Sequence, residues 1–192
     1  MNTSDPLLDW IRDEYRWVRS MIERDVLKGL SSEEIKTQLP TGNSIAWVMW
    51  HLARIEDMAV TSVIRREPQV FLSFGSRLGT KQTGTGNSFG DEELAELTDS
   101  LDVVVLLEYW REIGVGTRDW LGSVTLEELT KPISFEELAK VFPEGVVGIP
   151  SYSVRDWDGK PPAYLLKWPV ILHGYIHIGE MVTIRGSLPK TD

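Results

Sequence analysis

Apolar side chains recur at every third or fourth position over four long stretches of the chain, the spacing of helices that bury one face. In DPLLDWIRDEYRWVRSMIERDVLK (5–28) they fall at Leu7, Leu8, Ile11, Tyr15, Val18, Ile22 and Val26, behind Asp5 as N-cap and Pro6 in the first turn. GNSIAWVMWHLARIEDMAVTSVIRRE (42–67) predicts a second helix, capped by Asn43 or Ser44, with Ile45, Val48, Leu52, Ile55 and Ala59 in register. A third is expected to start near Asp91 and run unbroken to Val124 as the longest element. Gly114 and Gly116 each weaken its interior by roughly 1 kcal/mol relative to alanine, so a bend or a close helix contact is expected there. The fourth is AYLLKWPVILHGYIHIGEMVTIRGSL (163–188), ended by Gly186 and Pro189, with Pro169 either kinking it or marking its true start.

The connections carry their own signals. Ser31 with Glu34, Thr125 with Glu128 and Ser134 with Glu137 have capping-box spacing, which predicts three short helices, the first stopped by Pro40. GSRLGTKQTGTGNSFG (75–90) has neither helical nor strand periodicity and reads as a mobile loop, and the proline- and glycine-rich segment 143–163 reads as irregular. Only GVVGIPSYSV (145–154) resembles a strand, and no repeat of 20–50 residues is present. Four long amphipathic helices imply one all-α domain over residues 1–192, a four-helix bundle with short extra helices before the last helix.

Composition narrows the function. A chain of 192 residues, 42% hydrophobic, supports one well-buried core. No apolar run approaches the ~20 residues needed to cross a bilayer, and MNTSDPLLDW carries no basic leader followed by an apolar run, so a cytoplasmic protein without membrane contact is expected. The absence of cysteine removes disulfides, thiolate ligands and a cysteine nucleophile. Twenty-nine acidic against twenty basic residues give a net charge of −9, which repels nucleic acid and leaves a small molecule as the expected partner.

Only three histidines occur, and two of them, His173 and His177, are four apart in HGYIH. That interval on a helix projects both rings from one face, where two nitrogens can converge on a metal at ~2.1 Å. His51 lies on the second helix in a stripe with Ser44, Val48, Ile55 and Met58, and the pair shares a stripe with Val170 and Met181, so all three sit on core-facing arcs. Spacing alone leaves two readings open: a metal site, or core imidazoles satisfied by polar neighbours. Gly174 stands where a zinc peptidase helix carries its glutamate, which argues against that chemistry.

GNSIAWVMWHLARIED followed by HGYIHIGEMVTIRG resembles the DinB-like superfamily, which includes transferases acting with bacillithiol or mycothiol. The resemblance implies a four-helix bundle with a long crossover and a metal triad matching His51, His173 and His177. Ile178 and Glu180 depart from the family pattern of a small or basic residue, glycine and glutamine after the last histidine. Glu180 is read as an acceptor for a metal-bound water or a ligand imidazole, or else as a surface glutamate near Arg185. Three nitrogen ligands with open positions suit zinc or nickel, and iron or manganese as well. The implied reaction is attack of a low-molecular-weight thiol co-substrate on a small electrophile. Metal-dependent hydrolysis, or a non-catalytic stress-response bundle that homodimerises through a helix face, are the alternatives. Trp47, Trp50, Trp157 and Tyr175 are candidates for lining the pocket, and Arg54 for binding a substrate anion or pairing with a neighbouring acid.

Overall fold

The computed structural model describes residues 5–39 and 42–189; Pro40, the expected helix stop, lies outside them. Helix α1 (Pro6–Met21) begins where Asp5 accepts the Leu7 N–H, and continues in wider, π-type turns over Ile22–Leu27. The capping box at Ser31 is closed in both directions and starts α2 (Ser32–Lys36). Ser44, whose hydroxyl accepts the Trp47 N–H, caps α3 (Ile45–Glu56), which runs on in π-type turns over Asp57–Ile64. Every residue of α3 is buried, so this helix has no solvent face and is the central element of the bundle.

After α4 (Phe71–Phe74) and a 3₁₀ turn at Gly75–Leu78, the segment expected to form one long helix divides into α5 (Asp91–Ser100) and α6 (Val103–Ser123). The break has a local cause: Leu101 is extended and Asp102 caps a fresh helix by accepting the Val105 N–H at 3.1 Å. Gly114 and Gly116 produce close packing and no break in α6. A Cβ at Gly114 would lie 2.3 Å from the Arg19 guanidinium carbon, and one at Gly116 2.7 Å from Arg65 Nη1.

The predicted short helices form as α7 (Leu126–Thr130) and α8 (Phe135–Val141), capped by Thr125 and Ser134. The segment expected to be irregular contains a further helix, α9 (Ser151–Trp157), started behind Pro150. No strand is found among the described residues, GVVGIPSYSV included. The last helix opens as α10 (Pro162–Leu165), passes through π-type turns over Leu166–Leu172 that contain Pro169, and becomes α11 (His173–Ser187). Proline has no N–H to give to the ladder, and the widened turns carry the chain past it without ending the helix.

Four long helices make the bundle. α3 packs against α6 and α11, and α1 packs against the same two, so α1 faces α3 across one diagonal and α6 faces α11 across the other. The chain therefore crosses the bundle between α1 and α3, and again between α6 and α11, instead of passing round it neighbour by neighbour.

Two polar networks lie inside the apolar core. Glu56 accepts from Tyr15 Oη at 2.5 Å, Arg19 Nη1 at 2.8 Å and Thr117 Oγ1 at 2.8 Å. Arg54, wholly buried, donates to Asp57, Tyr109, Gln69 and the carbonyls of Thr83 and Val147. Asp57 also accepts the backbone N–H groups of Val70 and Phe71. The Glu56 network ties the central helix to α1 and α6, and the Arg54–Asp57 network ties it to the loops at Gln69, Thr83 and Val147, which reach the candidate site.

Candidate metal centre

His51 stands midway along α3, where no side of the helix meets water, so its ring must find partners inside the fold. Its Nδ1 lies 2.9 Å from the Thr85 carbonyl oxygen, and a carbonyl only accepts; the proton is therefore on Nδ1 and the lone pair on Nε2. The His177 Nδ1 lies 2.6 Å from Glu180 Oε2. Glu180 is held below the usual carboxylate range by that bond, and by the amide of Asn43, which donates to its other oxygen at 2.7 Å. It too can only accept, so His177 also turns a lone pair on Nε2 toward the centre.

The three Nε2 atoms converge. His173 Nε2 is 3.0 Å from that of His177 and 3.4 Å from that of His51, with the three ligand atoms all within 4.8 Å of one another. Two nitrogens at ~2.1 Å from one ion and about 90–110° apart are separated by roughly 3.0–3.4 Å, so the spacing fits a shared cation.

Proton counting supports the same fit. With both Nδ1 protons of His51 and His177 committed outward, a neutral His173 can donate to only one of the two inward lone pairs. The other is left facing nitrogen without a proton, a gap that suits a cation. Burial pushes His51 down to about 3, and burial followed by the neighbouring His177 pushes His173 down to about 4, so both rings stay neutral and able to ligate at neutral pH. The His173 Nδ1 is buried, and the Pro169 carbonyl is near it but outside hydrogen-bonding geometry.

Trp47 stacks on His51, rings parallel within 5° at 5.0 Å between centroids, and meets His177 edge-on. Gly86, at a φ of 85°, lies against the Trp47 indole so closely that a Cβ would fall 2.9 Å from Nε1. The segment expected to be a mobile loop is thus tied down at Thr83 by Arg54, at Thr85 by His51 and at Gly86 by Trp47.

Beside His173 opens a cavity of about 210 Å³. Ile55, Met58, Thr85, Ser153 and Trp157 make its buried floor, and Asn87, Tyr152, Asp156, Tyr164 and Trp168 its mouth. Of the residues expected to line a pocket, Trp157 does so and Trp47 backs the histidines. Trp50 is buried against Phe71, and Tyr175 points toward α1, donating to Glu14 at 2.9 Å. Arg54 has no exposed surface, and its guanidinium is committed to the buried network, so no substrate anion reaches it. Arg185 donates to the Val26 and Lys28 carbonyls and leaves Glu180 to His177.

Thr85 acts through its backbone, and its only trace in the sequence is the flanking glycines in TGTG. Asn43 has the residue type of a cap, but its neighbour Ser44 does that work and frees the Asn43 amide for Glu180.

The family model of the DinB superfamily matches residues 5–149. The chain belongs to the DinB superfamily. That match takes in His51, Asn43 and Thr85 and stops short of His173, His177 and Glu180. A crystal structure of a conserved protein from Enterococcus faecalis is similar at a TM-score of 0.63 and 17% identity, covering 95% of this chain and 96% of the other. At that identity it shows a shared fold and nothing finer. No curated protein matches the chain.

Proposed function

We propose that this DinB superfamily protein holds one divalent metal ion on His51, His173 and His177, and that its reaction is transfer of a low-molecular-weight thiol to a small electrophile. The carrying observation is the convergence of three Nε2 atoms, with outward protons fixed by Thr85 and Glu180, at the edge of a cavity. When bound, such an ion supplies a Lewis acid with open positions that lowers the pKa of a coordinated thiol or water. Zinc and nickel suit three imidazoles best, and iron or manganese are compatible.

The chain's own residues do the holding. Thr85 and Glu180 fix two rings in the ligating tautomer, Asn43 fixes Glu180, and Trp47 stops His51 from turning. With no cysteine in the chain, a sulfur nucleophile has to arrive as co-substrate. Trp157 and the floor residues shield the reacting end of a bound molecule from water.

Metal analysis by inductively coupled plasma mass spectrometry, on protein purified without a nickel column, tests the site. One equivalent in the wild type and none in His51→Ala is expected; no uptake by either, even after remetallation, would sink the proposal. A substrate screen with and without thiols then decides the chemistry: turnover that needs no thiol would assign hydrolysis to the same site. If the ion is structural only, chelation will lower the melting temperature sharply with no turnover found. Homodimerisation through a helix face, where α1 exposes Trp10 and Trp17, is read from sedimentation velocity.

A further inference from the structure

The mouth of the cavity beside His173 has an unusual composition. Among the described residues five aromatic side chains are strongly exposed, and three of them, Tyr152, Tyr164 and Trp168, surround this one opening. Exposed aromatic surface costs hydrophobic free energy, so three rings at one entrance point to a ligand that covers them. Trp168 leans over the site itself, its ring 6.2 Å from that of His173.

The charge within the lining is acidic, with Arg155 and Lys160 flanking it from outside. Neither lysine nor arginine lines the cavity, and its single formal charge is Asp156. Arg155 pairs with that carboxylate at 2.8 Å, but both side chains are more than half exposed and adjacent in sequence, so the pair is weak and readily exchanged. The Lys160 ammonium lies 5.6 Å from the centroid of the Tyr164 ring and also acts on Asp156, so an entering cation replaces Lys160, which stands outside the lining, at this aromatic and acidic surface.

We propose that the cavity selects small organic cations, an ammonium or quaternary ammonium seated at the mouth between the aromatic rings and Asp156, with the remainder of the molecule on the buried floor beside His173. This rests on the proposed metal site only for what then happens to the ligand; recognition belongs to the mouth. It also limits the thiol chemistry above. At the mouth, away from any ion on His173, a polycarboxylate thiol meets the Asp156 carboxylate and no lysine or arginine in the lining, whereas a cationic co-substrate meets Asp156 and the rings.

The test compares three probes of one shape: benzyltrimethylammonium, the neutral 2,2-dimethylpropylbenzene and the anion phenylmethanesulfonate. Binding is followed by tryptophan fluorescence and calorimetry on the full chain, with metal content measured on the same samples. The cation is expected to bind at least tenfold tighter than either other probe. Asp156→Asn and Trp168→Leu, both at exposed positions, should each weaken it roughly three- to tenfold. Equal affinity for all three probes, or unchanged cation binding in both variants, overturns the proposal. So does tighter binding of the sulfonate, lost in Lys160→Ala. Because the probes need not touch a metal, cation selectivity without metal uptake would refute the metal reading alone, and metal uptake without selectivity would refute this one alone.

Discussion

His51 and Glu180 show how much a single contact decides. Glu180→Gln keeps the size of the side chain but removes the charge that holds the His177 proton outward, and a loss of roughly 10–100-fold in metal affinity is expected from competition titrations. His51 gives a pH signature in metal-free protein. Its folded pKa is depressed to about 3, against 6.5 when unfolded, so the unfolded chain takes up the extra proton. Its stabilising contribution is full above pH 6.5 and lost as pH falls toward 3, amounting to about 2 kcal/mol at pH 5. Urea unfolding at pH 7 and pH 5 should show a loss smaller by about that amount in His51→Gln; equal losses would refute the assignment. His173 and His177 were legible in sequence because a rare residue type recurs at a helical interval, and His51 joined them through the family resemblance. Thr85 was not, since a carbonyl oxygen is the same in every residue and only the fold aims it.

At the scale of elements, capping chemistry was readable and continuity was not. Asp5, Ser31, Thr125 and Ser134 all start helices where the sequence places them, because a cap is a local bond between neighbours. The apolar period runs through residues 91–124 without a visible gap, and the break at Leu101 is marked only by the Asp102 cap, one acid among several in that stretch. Gly114 sets local preference against packing. Alanine raises helix propensity by roughly 1 kcal/mol, yet its Cβ would press on Arg19, which is fixed by Glu56 and the Trp110 carbonyl. Gly114→Ala is expected to destabilise by about 1–3 kcal/mol net in thermal or urea melts, while Gly122→Ala, with open space around it, should be neutral or stabilising. The π-type turns before His173 are a matter of phase. Removing Lys167 should leave α11 in place and rotate α10 by about 100°, carrying Tyr164 away from the cavity mouth, which binding of an aromatic cation would report.

For the molecule as a whole, Arg54 links helix, loops and site. The sequence carried its signal in a form easy to misread: one arginine in an apolar helix suggests a binding residue, but a helix buried on every side must answer its charges internally. Arg54→Met removes the positive charge beside buried Asp57, leaving it to Tyr109 and the Val70 and Phe71 N–H groups, and releases the Thr83 carbonyl, while Gln69 still holds that of Val147. The expected cost is about 3–5 kcal/mol in stability, with weaker metal binding in whatever fraction stays folded; Arg54→Lys, which cannot fork, should recover only part of either. The bundle also brings together imidazoles 122 residues apart, His51 near the first quarter of the chain and His173 near its end. A cation held there is a clasp between early and late parts of the polypeptide. During synthesis such a clasp could not close until α11 had been made and docked, so uptake of an ion would record that the early and late arms of the site have met.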